Sequence, residues 1–135
     1  AQNSNNIYFI SARSNFRELW FYNSEKETLR QITHVNADSM LRPIISHDSK
    51  SIALVYRKKD LYLIIIDAVT GTIMSRTTLS ELVYPLNWSL DNKFIYATEI
   101  WNENNLVQYN VNTFEKKHIR DNVSYCISLI RYGVF

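Results

Sequence analysis

Apolar and polar residues alternate along this chain in short runs, and the runs recur. Ile7-Tyr8-Phe9-Ile10, Ser51-Ile52-Ala53-Leu54 and Phe94-Ile95-Tyr96-Ala97 each open a unit. A second run follows after a polar break: Leu19-Trp20-Phe21-Tyr22-Asn23, Leu63-Ile64-Ile65-Ile66-Asp67 and Leu106-Val107-Gln108-Tyr109-Asn110. Matching columns carry matching chemistry. Leu19, Leu63 and Leu106 are apolar, Tyr22, Ile66 and Tyr109 are large, and Asn23, Asp67 and Asn110 favour turns. The spacing between units is about 43 residues.

Period-2 alternation with enrichment in Ile, Val, Tyr, Phe and Thr predicts strands throughout, hence an all-β chain. Each unit reads as four strands, A to D from the inside outwards. Strand A is expected at Arg42–Ser46, Pro85–Ser89 and Cys126–Arg131, and strand B at Ile7–Ala12, Ser51–Tyr56 and Phe94–Thr98. Strand C is expected at Glu18–Asn23, Leu61–Asp67 and Asn105–Asn110, and strand D at Thr28–Thr33, Thr72–Thr77 and Glu115–Arg120. Four short strands repeated at this period are the pattern of β-propeller blades. The chain is therefore one propeller-type domain over 1–135, with repeats at about 7–50, 51–93 and 94–135. Ser46 to Lys50, Ser89 to Lys93 and Ala68 to Gly71 are tight turns. The D-to-A links, His34 to Leu41 and Thr78 to Tyr84, are longer, and Leu79 to Leu82 is expected to form one helical turn.

Composition narrows the function classes. At 135 residues and 46% hydrophobic, the chain has enough apolar surface for a real core. Its longest apolar run, Leu61 to Ile66, is a strand rather than a membrane span. No basic stretch with a small-residue cleavage site opens the sequence, so no signal peptide is expected, which does not exclude export. A net charge of +2 with interspersed signs argues against direct nucleic-acid contact. Arg57-Lys58-Lys59, closed by Asp60, reads as a solvated hairpin loop. The single cysteine, Cys126, excludes an internal disulfide and sits in an apolar run as a small hydrophobe. Glycine is scarce, and Asn fills many turns in its place.

The A–B segments resemble the propeller repeat of the TolB periplasmic protein, P-x-W-S-P-D-G-K followed by an apolar strand. Pro43-Ile44-Ile45-Ser46-His47-Asp48-Ser49-Lys50 is one copy, and Pro85-Leu86-Asn87-Trp88-Ser89-Leu90-Asp91-Asn92-Lys93 is another. Ile45 replaces the usual Trp in the first, and the second has one extra residue between Pro85 and Trp88. Ser49 and Asn92 stand where the pattern has Gly. Strand C ends in Asp67 or Asn23, and Ile32-Thr33 matches the closing Leu-Thr of strand D. The resemblance implies TolB-type blades. Similar propellers occur in prolyl oligopeptidase-like enzymes and in the extracytoplasmic part of membrane-anchored winged-helix regulators of the CadC type. Fold alone does not choose among these.

Catalytic and metal chemistry have weak sequence support. Ser46-His47-Asp48 is contiguous in a turn, so its three side chains cannot converge on one reacting atom, and no G-x-S-x-G elbow exists. His34, His47 and His118 fall in different units without ligand spacing. The sequons at Asn87 and Asn122 read as chance, the first lying in a strand expected to be buried. No enzymatic activity, cofactor or metal is expected. Most aromatics, Trp20 and Trp88 included, are assigned to the core. Phe16 and Trp101 instead lie in B–C loops, at the same end as Arg57-Lys58-Lys59. Phe16, Arg17, Arg57, Lys58, Lys59 and Trp101 therefore form the expected surface for a protein or peptide partner. The leading reading is a non-catalytic interaction or sensing module of a regulator. The alternatives are the propeller of a prolyl oligopeptidase-like peptidase or a TolB-like periplasmic binding propeller. Three blades cannot close a ring, which leaves two readings: the chain is trimmed from a longer propeller whose missing blades lie in the same protein, or a homodimer closes the ring, with Cys126–Arg131 of one copy completing the sheet begun by Ile7–Ala12 of the other.

Overall fold

The computed structural model describes residues 6–100 and 105–121. They form β1 (Asn6–Ser11), β2 (Glu18–Asn23), β3 (Thr28–Gln31), β4 (Ser39–Met40), β5 (Ile44–Ile45), β6 (Ser51–Lys58), β7 (Asp60–Asp67), β8 (Ile73–Leu79), β9 (Val83–Trp88), β10 (Phe94–Glu99), β11 (Asn105–Asn110) and β12 (Lys116–Arg120). Every pairing is antiparallel, and the strands fall into three sheets: β1-β2-β3, then β4/β5-β6-β7-β8, then β9-β10-β11-β12. These are the three expected blades, and the first has no inner strand among the described residues. The third inner strand predicted at Cys126–Arg131 lies outside them.

Several boundaries differ from the sequence reading. The first inner strand is in two pieces, because Pro43 has no amide to donate between β4 and β5. β4 lies inside the stretch expected to be a free link, tied to β6 at Ser39–Arg57 and Met40–Tyr56. Leu79 ends β8 and is followed by a bend instead of the expected helical turn. β6 and β7 pair as far as Lys58–Asp60, so Arg57 and Lys58 belong to the ladder and only Lys59 turns, at φ +66°. Strand B of the first blade is offset by one. Asn6, Ser51 and Phe94 are the equivalent residues, opposite Asn23, Asp67 and Asn110. The extra residue of the second TolB-like copy is absorbed as a bulge. Tyr96 pairs with Asn87 and Ala97 with Pro85, leaving Leu86 unmatched. Asn87 is exposed, not buried as its strand position predicted, and Trp88 beside it is 3% exposed.

The middle blade is covered on both sides. Ile52, Leu54, Tyr56, Ile64 and Ile66 pack towards blade 1 with Leu19, Ile32 and Ala37. Their neighbours Val55 and Leu63 pack towards Val83, Ala97 and Val107 of blade 3, and Ala53 and Ile65 towards Trp88 and Ile95. A strand buried on both faces needs apolar residues at every position, which is why β6 and β7 read as unbroken runs. Polar ties cross each seam. Tyr8 Oη donates to the Ala68 carbonyl at 3.2 Å, and Arg30 to that of Val69 at 2.8 Å. Trp88 Nε1 donates to the Ile44 carbonyl at 2.9 Å.

Two buried carboxylates brace the seams. Glu18, 1% exposed, accepts from Thr33 Oγ1 and from the amides of Val35 and Asn36, fixing the link out of blade 1. Glu99, 2% exposed, meets Lys116 Nζ at 2.6 Å, with Glu81 at 3.8 Å from the same ammonium. Burial pushes the Glu99 carboxyl up, but hydrogen bonds from Glu81 and Lys116 and the lysine's charge outweigh it and hold it below the usual range. Glu81 moves up, chiefly because it shares a hydrogen bond with Glu99, then through desolvation and repulsion. Burial also raises the neighbouring Tyr109 phenol, with both glutamates adding to the effect.

Turns repeat as closely as strands. Asn23, Asp67 and Asn110 Oδ1 each accept from amides two and three residues on. At the A–B turns Ser46 Oγ donates to Asp48 at 2.6 Å, and Ser89 Oγ to Asp91 at 2.7 Å. The same hydroxyls accept from the amides of Ser51 and Phe94. Ser49 and Asn92, in the glycine column, both sit at φ +61°. Gly71 turns at φ +76°, and a Cβ there would lie 2.4 Å from the Ile32 carbonyl oxygen in blade 1.

The identical backbone at Ser49 and Asn92 separates two effects. Ser49→Gly should stabilise the fold by about 0.5–1 kcal/mol, the left-handed cost less glycine's entropy. Asn92→Gly should not, since Asn92 Oδ1 accepts the His47 amide across the seam at 2.8 Å. Gly71→Ala should destabilise by more than about 1 kcal/mol. Denaturant titration of the three variants measures all of this.

A pH-dependent effect is expected at Lys116. Lys116→Met should cost about 1–3 kcal/mol at neutral pH, because Glu99 stays buried without its cation. In the wild type, the depressed Glu99 value contributes stability above the ordinary glutamate range that is lost as pH falls through the folded value. Glu81 has the opposite sign, its contribution being present at low pH and lost as pH rises through its raised value. The variant's deficit should therefore shrink on acidification, and Glu99→Gln in the same background should remove most of it. A deficit that stays constant as pH falls from 7 to below the ordinary glutamate range would refute this account.

Candidate functional site

The B–C ends of blades 1 and 2 are joined by one short stretch of backbone. The Arg17 amide donates to the Ala37 carbonyl at 2.9 Å, and the Asp38 amide donates to the Arg57 carbonyl at 2.8 Å. Two successive residues thus hold the loop after β1 against the apex of β6–β7. Ala37 can do this because its side chain is buried, 1% exposed, in the blade 1–2 core. Arg17, Arg57, Lys58 and Lys59 are consequently exposed on one rigid rim, with none of them in an ion pair among the described residues.

Phe16 stands next to this rim, 43% exposed, in the loop from Ala12 to Arg17. Asn15, at φ +84°, makes the turn that presents it, its amide donating to the Ala12 carbonyl at 2.9 Å. Five of the six residues expected from sequence therefore share one end of the molecule. Trp101, the sixth, lies outside the described residues. Sequence reasoning missed Arg13, whose guanidinium lies 5.3 Å from the centre of the Trp20 ring. It also missed Asp38, an exposed acid between the arginines. Arg13 belongs to the same loop as Phe16 and was legible there, whereas the position of Asp38 depends on the unforeseen pairing of β4.

The other candidate groups are engaged locally. Asp48 is held below the ordinary aspartate range, first by the Ser46 hydroxyl and then by the Lys50 amide. His47 Nε2 lies 3.1 Å from the Trp88 carbonyl, directed away from Ser46 and towards the next blade. Ser46-His47-Asp48 is a turn and a seam contact. His34 Nδ1 meets Gln31 Nε2 at 2.9 Å, and His118 Nε2 meets Asp121 at 2.7 Å. No group of three metal-ligating side chains converges among the described residues.

Apart from the rim, one face of blade 1 and one face of blade 3 have no neighbouring sheet against them among the described residues. On blade 1 the face turned away from blade 2 carries Ile7, Phe9, Trp20, Tyr22 and Leu29, with Ile7 52% exposed. Trp20, assigned to the core from sequence, is only partly covered, since its face of blade 1 has no sheet packed on it among the described residues. Its Nε1 is buried without a hydrogen-bond partner. On blade 3 the face turned away from blade 2 forms an open hollow of about 810 Å³, lined by Trp88, Phe94, Tyr96, Leu106, Gln108 and Ile119 among others.

No family model and no curated sequence relative matches the chain. Solved structures do. TolB from Acinetobacter baumannii superposes with a TM-score of 0.68 at 17% identity, over 85% of this chain and 29% of TolB. A prolyl endopeptidase matches at 0.63 and 13% identity, over 90% of this chain and 22% of the enzyme. A chain of a nidogen/laminin complex matches at 0.63 and 12% identity, over 88% of this chain and 44% of that one. The chain thus spans under half the length of each. At these identities the likeness is one of architecture, and it agrees with the strand order and turns described above: this is an all-β chain of β-propeller blades similar to those of TolB.

Proposed function

We propose that the chain is a non-catalytic interaction module that binds a protein or peptide through the B–C end of its blades. The observation that carries this reading is the rim itself. Arg17 and Arg57 are held at fixed separation by Ala37–Asp38, with Phe16 exposed beside them and Lys58 and Lys59 completing the basic edge. An exposed aromatic beside arginines on a rigid scaffold supplies both the apolar anchor and the charge that protein hot spots use. The five basic side chains, Arg13 included, outnumber Asp38 and Asp60, so the favoured partner segment is acidic with an apolar residue.

The engagement of Ser46, His47 and Asp48 in turn and seam contacts supports the absence of catalysis. The TolB-like blades support an extracytoplasmic setting. Within that setting the reading favoured from the repeat's divergent, glycine-poor form is the sensor propeller of a CadC-type regulator. In this reading the partners are a protein or peptide at the rim and a second copy of the chain at the open blade faces.

Site-specific photocrosslinking in the native host tests the rim. A photoreactive phenylalanine at position 16 or 57 should give a discrete protein adduct. The same group at Val69, 71% exposed in the C–D turn at the opposite end, should not. Arg57→Glu should weaken binding of the captured partner, once purified, by about tenfold or more. Adducts of equal yield and pattern at all three positions would exclude the rim as the binding surface.

A further inference from the structure

The three C–D turns share one backbone but carry different residues at its most constrained position. Each has a left-handed residue four places after its turn-forming Asn or Asp: Glu27 at φ +51°, Gly71 at +76° and Phe114 at +59°. The Gly71 amide donates to the Asp67 carbonyl at 2.9 Å, and the Phe114 amide to the Asn110 carbonyl at 2.7 Å. Glycine adopts this backbone freely, whereas a bulky side chain adopts it only against a steric cost. Glu27 carries that cost on an exposed turn, but Phe114 is half-buried.

Packing holds Phe114 in this conformation. Its side chain lies against both apolar clusters of the blade 2–3 seam, one around Val55, Leu63 and Val107 and the other around Ile65 and Ile95. Gly71, in the same column, docks on blade 1 with main chain alone, so closely that a Cβ would lie 2.4 Å from the Ile32 carbonyl oxygen. Beside it Arg30 donates to the Val69 carbonyl at 2.8 Å. The blade 3 turn meets blade 2 through the ring and through a longer bond, 3.3 Å from Ser75 Oγ to the Val111 carbonyl. Further along the same seam the surfaces part. A cleft of about 150 Å³ separates Thr78, Leu79 and Glu81 from Tyr109 and Lys116 of blade 3.

We infer that Phe114 is a strained latch, and that β11 and β12 swing away from β8 when its ring leaves the seam. Strain and packing oppose each other at this residue. Withdrawing the ring forfeits its contacts but frees the left-handed backbone, which narrows the gap between the closed and open arrangements. The cleft lowers the barrier further, since the atoms lining it have few contacts to lose. On the inner side the blades stay joined. Trp88 Nε1 on the Ile44 carbonyl and the His47 amide on Asn92 hold β9 against blade 2, so the motion hinges there. Opening widens the cleft and uncovers Tyr109 and Glu99, both buried in the closed arrangement. The latch stands at the end opposite the rim and does not depend on the rim reading.

Thiol labelling of the folded chain tests the latch. In a Cys126→Ser background, Val107→Cys puts a reporter in the blade 2–3 seam and Ile52→Cys puts one in the blade 1–2 seam, both at positions 0% exposed. Phe114→Asn keeps the turn, since Asn tolerates left-handed geometry, but removes the ring. It should speed labelling at position 107 by about tenfold or more, leave position 52 unchanged and preserve the circular dichroism. Glu27→Asn relieves the same backbone where no ring is packed, and should speed neither reporter. Should Phe114→Asn unfold the chain, Phe114→Leu takes its place, with a smaller acceleration of about threefold, again at position 107 alone. Slower labelling at position 107 would mean that Phe114 is a strained turn and nothing more, which overturns the latch. An unchanged rate there overturns it as well. So does equal acceleration at both positions, which assigns the effect to the whole fold.

Discussion

Everything else in this structure depends on the contact of one blade's face with the next blade's face. A four-stranded antiparallel sheet with one open side is marginal alone, and the chain meets that constraint by stacking sheets rather than by enclosing a separate core. The middle blade shows the result: β6 and β7 have fully buried residues on both faces, with Leu54, Ile64 and Ile66 on one side and Val55 and Leu63 on the other. The outer blades share these columns, but among the described residues only one face of each packs on another sheet. Their strands look less perfectly apolar, since Ser11, Thr98 and Gln108 occupy columns filled by Tyr56, Val55 and Ile65 in the middle blade.

The turns follow from the same stacking. Several A–B and C–D turns meet a neighbouring blade, and each turn is closed by a side chain of its own. Asp48 and Asp91 take a serine hydroxyl and an amide, while Asn23, Asp67 and Asn110 take two amides each. The turn is then rigid enough to dock. His47 presents its amide to Asn92 and its ring to the Trp88 carbonyl, and Gly71 brings its backbone against Ile32 so closely that no side chain fits. These docked turns fix the angle between blades more narrowly than apolar packing alone, because hydrogen bonds tolerate little lateral slip.

Much of this was legible in the sequence, for identifiable reasons. Strand C was placed correctly at Glu18–Asn23 and Asn105–Asn110 because each run ends on a turn-forming Asn with a clear side-chain role. The glycine column was legible from the Ser/Asp pattern around it, although Ser49 and Asn92 fill it. Strand B of the first blade slipped by one since Ile7-Tyr8-Phe9-Ile10 is apolar in both phases and offers no alternation to fix the register. β4 was invisible, because Ser39-Met40 is too short and too polar to announce a strand and is held by its neighbour's ladder. The Glu81–Glu99–Lys116 group was equally hidden, as its members meet only once β10, β12 and the link between β8 and β9 have been brought together.

The rim at the B–C end could be only half legible for the same reason. A cluster of loop residues can be guessed from repeat alignment, which places Phe16, Arg17 and Arg57 at one end. Whether they form one surface depends on what joins neighbouring blades there. That joint is the Ala37–Asp38 backbone, and its hydrogen bonds to Arg17 and Arg57 are made by main-chain atoms that carry no sequence signal. The consequence is mechanical. Because the D-to-A link that carries the chain from blade 1 to blade 2 also bonds both loop tips, the rim cannot shift without disturbing the seam beneath it. Glu18 strengthens the coupling from below, holding the start of that link through Val35 and Asn36 while its own strand begins next to Arg17. If a partner binds at the rim as proposed, it would meet loop tips bonded to the segment that sets the packing of blade 1 on blade 2, and its binding energy would act on that stacking.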